Sequence, residues 1–325
     1  MDRIILPRIR AQRVDFHGYS DCIVLENDST RVVLGAHCGG RVLEYSVHGK
    51  NALRLDPSQA GWTWKPGSPE IDPWGGRFDI GPEKTIPPHP TLWVGTWKSR
   101  LDSSGVAKLT SEADPATGMR LTRTFELAPD STRLTCTQTM QNVSNRVQAW
   151  CHWGRTLSPG GGICIVPLTT PSRFPNAYLR YGPDPFINYL PSDPNVRIRE
   201  NFLEIIGPPA HPKLGMDSHA GWLAYLTDNN LLFVKRFPTY PDRPYNEMAG
   251  FTVSVWYYKD ELVELEPIGP MERLAPGESA SFTEDWWLLA YPFPERRDAL
   301  DLEEVSALVE RTTIKTSSDR WLWRR

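Results

Sequence analysis

The chain lacks the features that mark several large functional classes. Its 36 lysines and arginines stand against 39 aspartates and glutamates, a formal net charge of -3, so it carries no electrostatic footprint for nucleic acid or an anionic membrane surface. No apolar run approaches the roughly 20 residues needed to cross a bilayer. The opening Met1-Asp2-Arg3-Ile4-Ile5-Leu6-Pro7 has no long apolar core of the secretory kind, which makes the cytoplasm the expected location. Cysteine is scarce and odd in number: Cys22, Cys38, Cys136, Cys151 and Cys164 show no CxxC spacing, sit mostly in apolar surroundings, and are expected as buried free thiols. There is no Walker loop, no dinucleotide fingerprint in context and no GxSxG elbow. His37, His48, His89, His211 and His219 show neither HxH nor HExxH spacing, so neither a metal nor a cofactor is expected.

What the chain has in quantity is turn chemistry. Thirty prolines and 24 glycines are spread along its whole length, which favours many short strands over helices. Apolar runs at Ile23-Val24-Leu25, Val32-Val33-Leu34 and Val42-Leu43 are separated by Asn27-Asp28-Ser29 and Gly39-Gly40, the pattern of a meander. A clear hairpin follows: Met119, Leu121, Phe125 and Leu127 alternate with polar residues, Pro129-Asp130-Ser131 turns the chain, and Leu134, Cys136 and Met140 alternate again. Further strands are expected around Val147 to Trp153, Trp222 to Leu226 and Leu231 to Phe237. Residues 58–98 and 167–215, rich in proline and aromatics, are expected as long loops over one opening of the fold. Leu300, Leu302, Val305, Leu308 and Val309 carry partial helical periodicity, which predicts a C-terminal helix within 295–311 packed on the body. The closing Trp321-Leu322-Trp323-Arg324-Arg325 is expected to dock on that body or cover an apolar edge. These signals predict an all-β, antiparallel sandwich with a short C-terminal helix, formed as a single domain over residues 1–325.

The strongest local sign of chemistry is Val263-Glu264-Leu265-Glu266-Pro267-Ile268-Gly269-Pro270. Glu264 and Glu266 lie two apart on a strand and therefore share a face, with Val263 and Leu265 on the other, just before a Pro/Gly break in the ladder.

Several segments, in order, resemble the galactose mutarotase-like, or aldose 1-epimerase-like, superfamily of β-supersandwich proteins. They are Gly39-Gly40-Arg41-Val42 leading to Gly49-Lys50-Asn51; Gly75-Gly76-Arg77; Thr122-Arg123-Thr124-Phe125-Glu126-Leu127; Asn142-Val143-Ser144; His152; and Leu265-Glu266. The resemblance implies an antiparallel β-supersandwich and an isomerase acting at a sugar's anomeric centre. It implies His152 as general acid and Glu266 as general base, with Glu264 the rival for the second role. Opening a hemiacetal ring needs such a pair, because the anomeric hydroxyl loses a proton while the ring oxygen gains one. Two departures bear on the substrate: Trp153-Gly154-Arg155-Thr156 replaces the family's aromatic and asparagine pattern, and Arg77 stands where an early binding histidine is expected. Arg77, Lys213 and Arg236 suit a sugar acid or sugar phosphate, Trp153 suits stacking on a sugar face, and Glu83 and His89 are expected substrate contacts from the overhanging loop. Two other readings stay open: a carbohydrate-binding domain without turnover, and a polysaccharide lyase or glycoside-cleaving enzyme using Tyr178 or Tyr181 with Arg77.

Overall fold

A computed structural model describes residues 9–182 and 186–312. The strands form two antiparallel sheets, one of 13 and one of 10 strands among the described residues. The larger sheet begins as the expected meander, Arg10–Phe16, Tyr19–Glu26, Thr30–Gly35 and Arg41–Val47, and continues through Gly76–Gly81, Gln148–Pro159, Leu262–Pro267, Val253–Tyr258, Lys213–Met216 and Tyr178–Tyr181. The smaller sheet is centred on Leu231–Arg236, Ser279–Ala290, Leu134–Asn142 and Met119–Leu127.

The main core lies between the sheets. The predicted hairpin pairs Leu134 with Leu127 and Asn142 with Met119, and its burial alternates residue by residue because one face packs inward and the other faces water. Phe78, Ile80, Val263 and Leu265 meet Phe125, Cys136, Phe282 and Trp286 there. The Gly39-Gly40 turn has φ of +67° and +56°. A Cβ on Gly40 would collide with the Trp97 ring, so glycine is required for both conformation and space. The buried Arg123 guanidinium donates to the carbonyls of Gly39, Gly40 and Phe78, pinning this turn to the core. All five cysteines are buried and free.

The C-terminal helix is Leu302–Glu310, N-capped by Asp301, whose side chain accepts from the Glu304 amide. Leu302, Val305 and Val309 bury against Ile163, Ala224 and Val234 on the outer face of the smaller sheet. The segment 321–325 lies outside the described residues. Among the described residues, no helix is long and apolar enough to cross a membrane.

The two expected loop regions are partly sheet. Gly76–Gly81, within the first, is a central strand of the larger sheet. The flanking Pro73 and Pro82 mask its alternation, in which Phe78 and Ile80 point to the core while Arg77 and Asp79 point away. Tyr178–Tyr181, Val196–Arg199, Phe202–Ile205 and Lys213–Met216, within the second, extend the edges of both sheets. Each is only four residues long, too short to show a periodicity among the intervening prolines.

Candidate functional site

Antiparallel partners share a face of the sheet, so the register decides which side chains meet. Arg155 is opposite Arg77, Trp153 opposite Asp79, and Thr156 opposite Leu265. Glu264 is opposite Trp256, and Trp256 opposite Lys213. The face turned away from the main core therefore carries Arg77 and Asp79, Trp153 and Arg155, Glu264 and Glu266, Trp256 and Tyr258, and Lys213. This is an unusual density of charge for a sheet interior, and a cavity of about 370 Å³ opens on its Arg155, Lys213, Trp256, Tyr258 and Glu264. The wall includes Asp72, Glu83, Lys84, Arg155, Tyr181, Lys213, Trp256, Tyr258 and Glu264.

The floor is held by ion pairs. Glu264 Oε1 accepts from Arg77 Nη2 at 2.7 Å and from Arg155 Nε at 2.9 Å. Lys213 Nζ contacts both oxygens of Glu266, at 2.6 and 2.9 Å, and the Trp153 indole donates to Glu266 Oε2 at 3.0 Å. His89 Nε2 lies 2.8 Å from Asp79 Oδ1, and its Nδ1 lies 2.8 Å from the Pro87 carbonyl. The Glu83 amide donates to Glu247 Oε2 at 2.7 Å.

These contacts separate the proton affinities of neighbouring carboxyls. Burial alone would raise Glu264, but Arg155, Arg77 and Lys213 outweigh it and hold the group well below its ordinary value. Glu266 goes the other way: burial and the neighbouring Glu264 charge, against the pull of Lys213, raise it to about 8. Burial also raises Glu247, to about 7. His89 is disfavoured as a cation by burial, yet the charge and hydrogen bond of Asp79 hold it up to about 9. Burial opposes the charge on Lys213 as well, and Glu266 more than compensates, raising it.

The sequence-predicted residues divide accordingly. Glu83, Lys213 and Glu264 line this cavity, and behind them Glu266 and Trp153 contact Lys213 and Arg77 contacts Glu264. His152 is not among them. It lies on the opposite face of its strand, where its ring stacks on Phe282 with centroids 5.7 Å apart and its Nδ1 is 3.4 Å from Gln138 Nε2, both partners belonging to the smaller sheet. Burial lowers it to about 3, so it is a neutral core imidazole, and it is not brought to the face of Glu266. Arg77 is present but occupied: it donates to Glu264, Asp72, Pro73 O and Arg155 O, and its side chain is 2% exposed. The Trp153 ring is covered by Arg155 at 4.2 Å and Lys213 at 5.3 Å. His89 is tied to Asp79 and Pro87 beneath the loop and is not part of the cavity wall.

Sequence reasoning missed Asp79, Glu247, Trp256 and Tyr258. Trp256 and Tyr258 alternate on one strand and stack on each other, with centroids 5.2 Å apart and planes 25° apart, giving the cavity an aromatic wall. Their alternation with the buried Val255 and Tyr257 was the available signal. Two larger clefts, of about 610 and 570 Å³, adjoin Phe174 and Arg173. In the latter Arg173 is paired with Asp217, and Arg243 with Glu272. Neither gathers a comparable set of shifted groups.

No protein-family model matches the chain, and a search of curated proteins gives no significant match. Solved structures do match. The Slr1438 protein of Synechocystis sp. PCC 6803 superposes with a TM-score of 0.55 at 13% identity, over 89% of this chain and 99% of its own. A galactose mutarotase-like protein of Lactobacillus casei gives 0.54 at 12% identity, over 82% and 100%. Another, from Clostridium acetobutylicum, gives 0.54 at 13% identity, over 87% and 99%. The two-sheet sandwich described above is the galactose mutarotase-like fold.

Proposed function

We propose that the cavity on the larger sheet binds a sugar in its cyclic form and that the protein exchanges its anomers, as an aldose 1-epimerase-like isomerase working through the Glu266–Lys213 pair without a cofactor. The observation that carries this reading is the split between Glu264 and Glu266. Two carboxyls on one face of one strand are driven apart, Glu264 kept charged by two arginines and Glu266 raised above its ordinary value by burial and the Glu264 charge while in contact with Lys213 at 2.6 Å. Ring opening and closing need one group that gives a proton and one that takes it, and a carboxyl paired with an ammonium supplies such groups. The stacked Trp256 and Tyr258 offer an apolar surface to the C–H face of a pyranose. The reading takes the whole chain as one functional unit, since the floor draws on strands from residue 76 to residue 267.

A lyase would need a free arginine to neutralise a uronate, and Arg77 has its donors occupied. Tyr178 lies in a different cleft, and Tyr181, raised by burial, shares a hydrogen bond of 2.8 Å with Ser254. The test is anomer exchange of a panel of aldoses, followed by NMR saturation transfer. The wild type is expected to exceed the spontaneous rate for at least one sugar, and Glu266→Gln to lower turnover by at least about 10²-fold with the fold kept. Binding of a sugar with every anomeric equilibrium left at its spontaneous rate would replace the enzyme with a sugar-binding protein.

A further inference from the structure

Glu266 is 0% exposed, and Lys213 stands between it and the cavity. A sugar seated in the cavity meets the lysine first. Across from Lys213 Nζ, at 3.8 Å, lies Glu83 Oε2. That separation is too long for a hydrogen bond, and Glu83 Oε2 is a buried acceptor with no hydrogen-bond partner. A buried carboxylate oxygen left without a donor is costly, and in a cavity wall it marks where a ligand's hydroxyl belongs. The Glu83 amide is anchored on Glu247, and its Oε1 faces Lys84 Nζ at 3.6 Å. Neither His152, which is in the core, nor His89, both of whose ring nitrogens are engaged, is available for either role.

We infer that Lys213 and Glu83 are the pair that touches the sugar, Lys213 as proton donor to the ring oxygen and Glu83 as proton acceptor from the anomeric hydroxyl, with Glu266 behind Lys213 as its proton partner. The inference rests on the proposed anomer exchange and assigns its contacts. The anomeric hydroxyl and the ring oxygen are bonded to the same carbon, so a donor and an acceptor 3.8 Å apart can serve both at once. As the bond from the anomeric carbon to the ring oxygen breaks, its electron pair stays on the ring oxygen, which takes a proton from the Lys213 ammonium. The anomeric O–H gives its proton to Glu83 as the carbonyl forms. Lys213 is left as an amine and Glu83 as an acid, and a proton passing from Glu83 to Lys213 restores both. Glu266, in contact at 2.6 Å, favours the ammonium form between turnovers. Re-closure on either face of the aldehyde reverses the steps and yields either anomer.

The test uses the full chain with the aldose that the wild type turns over fastest. Glu83→Ala is expected to lower kcat by at least about 10²-fold, with KM within about threefold of wild type. Added formate or acetate should restore part of that rate in proportion to its concentration, which a merely structural glutamate would not allow. Lys213→Met in the Glu266→Gln background, where no buried charge is left unpaired, should fall at least about tenfold below Glu266→Gln alone, and a double variant as active as Glu266→Gln overturns the role of Lys213. If the wild type exchanges anomers and Glu83→Ala keeps its rate, or loses it with no rescue by carboxylates, the assignment is overturned while the epimerase reading stands. If the wild type exchanges none, both fall.

Discussion

Lys213 Nζ lies 2.6 and 2.9 Å from the two carboxylate oxygens of Glu266, and this contact joins strands whose residues are 53 apart in the chain. It holds an acidic group in a site where burial opposes its charge, while leaving the ammonium at the cavity surface. Such pairs contribute little over a well-packed apolar pair, but removing one partner strands the other. Lys213→Met alone is therefore expected to cost about 3–5 kcal/mol in urea unfolding, less whatever Glu266 regains by taking up a proton. Lys213→Met with Glu266→Gln should recover most of that loss. Equal costs for the single and double variants would show that the ion pair is not what the substitution breaks.

The shifted groups around the floor predict how stability changes with pH. His89 rises from an ordinary 6.5 to about 9, so the folded state binds its proton more tightly than the unfolded state. Its contribution is complete below pH 6.5 and is lost as pH rises through about 9. Glu247 rises from 4.5 to about 7, with the same sign in a lower window: the contribution is complete below pH 4.5 and lost by about pH 7. Stability is expected to fall with rising pH across both windows. His89→Gln should flatten the fall between pH 6.5 and 9, and Glu247→Gln that between pH 4.5 and 7, each by on the order of 3 kcal/mol or less. Urea midpoints at half-unit pH steps measure this, and a variant whose slope matches wild type removes that group from the account.

Much of the fold was legible because its strands advertise themselves. The Met119–Leu127 and Leu134–Asn142 hairpin alternates apolar and polar residues without a break, and Glu264 and Glu266 share a face by strand periodicity alone. The Gly76–Gly81 strand was hidden by prolines on both flanks. The site was harder, since its content is set by register between distant strands. Thr156 is opposite Leu265, so every even-numbered residue of that stretch, His152 included, turns with Leu265 to the core, while Trp153 and Arg155 turn with Glu264 and Glu266. A shift of one residue would have reversed the assignment, and nothing within either strand's own sequence excludes that shift. Arg77 was likewise read as a ligand for anions because its partners, Glu264 above all, come from elsewhere in the chain.

That saturation of Arg77 bears on the substrate. Around the cavity floor Asp72, Asp79, Glu83, Glu247, Glu264 and Glu266 supply six carboxyls against the cationic groups of Arg77, Lys84, His89, Arg155 and Lys213, and the cations are engaged with carboxyls. An added phosphate or carboxylate on the sugar would have to compete with these carboxyls for the cations they already hold. Sugar phosphates and uronates are expected to bind at least about tenfold more weakly than the parent neutral sugar. Isothermal titration of one sugar with its 6-phosphate and its uronate decides this, and tighter binding of either charged form would refute it.

The position of His152 gives the sharpest contrast with the resemblance-based expectation. A general acid must reach the sugar, and this imidazole is 2% exposed, stacked on Phe282 between the sheets, and neutral down to about pH 3. Its Nε2 has no hydrogen-bond partner, so a phenyl ring in its place would remove an unsatisfied polar atom and keep the stacking contact. His152→Phe is therefore expected to keep anomer exchange within about threefold of wild type and to change stability by about 1 kcal/mol or less, whereas His152→Ala should cost on the order of 2–4 kcal/mol through the cavity it opens. A loss of turnover by 10²-fold or more in a stably folded His152→Phe variant would return the histidine to the chemistry and require the strand to present its other face.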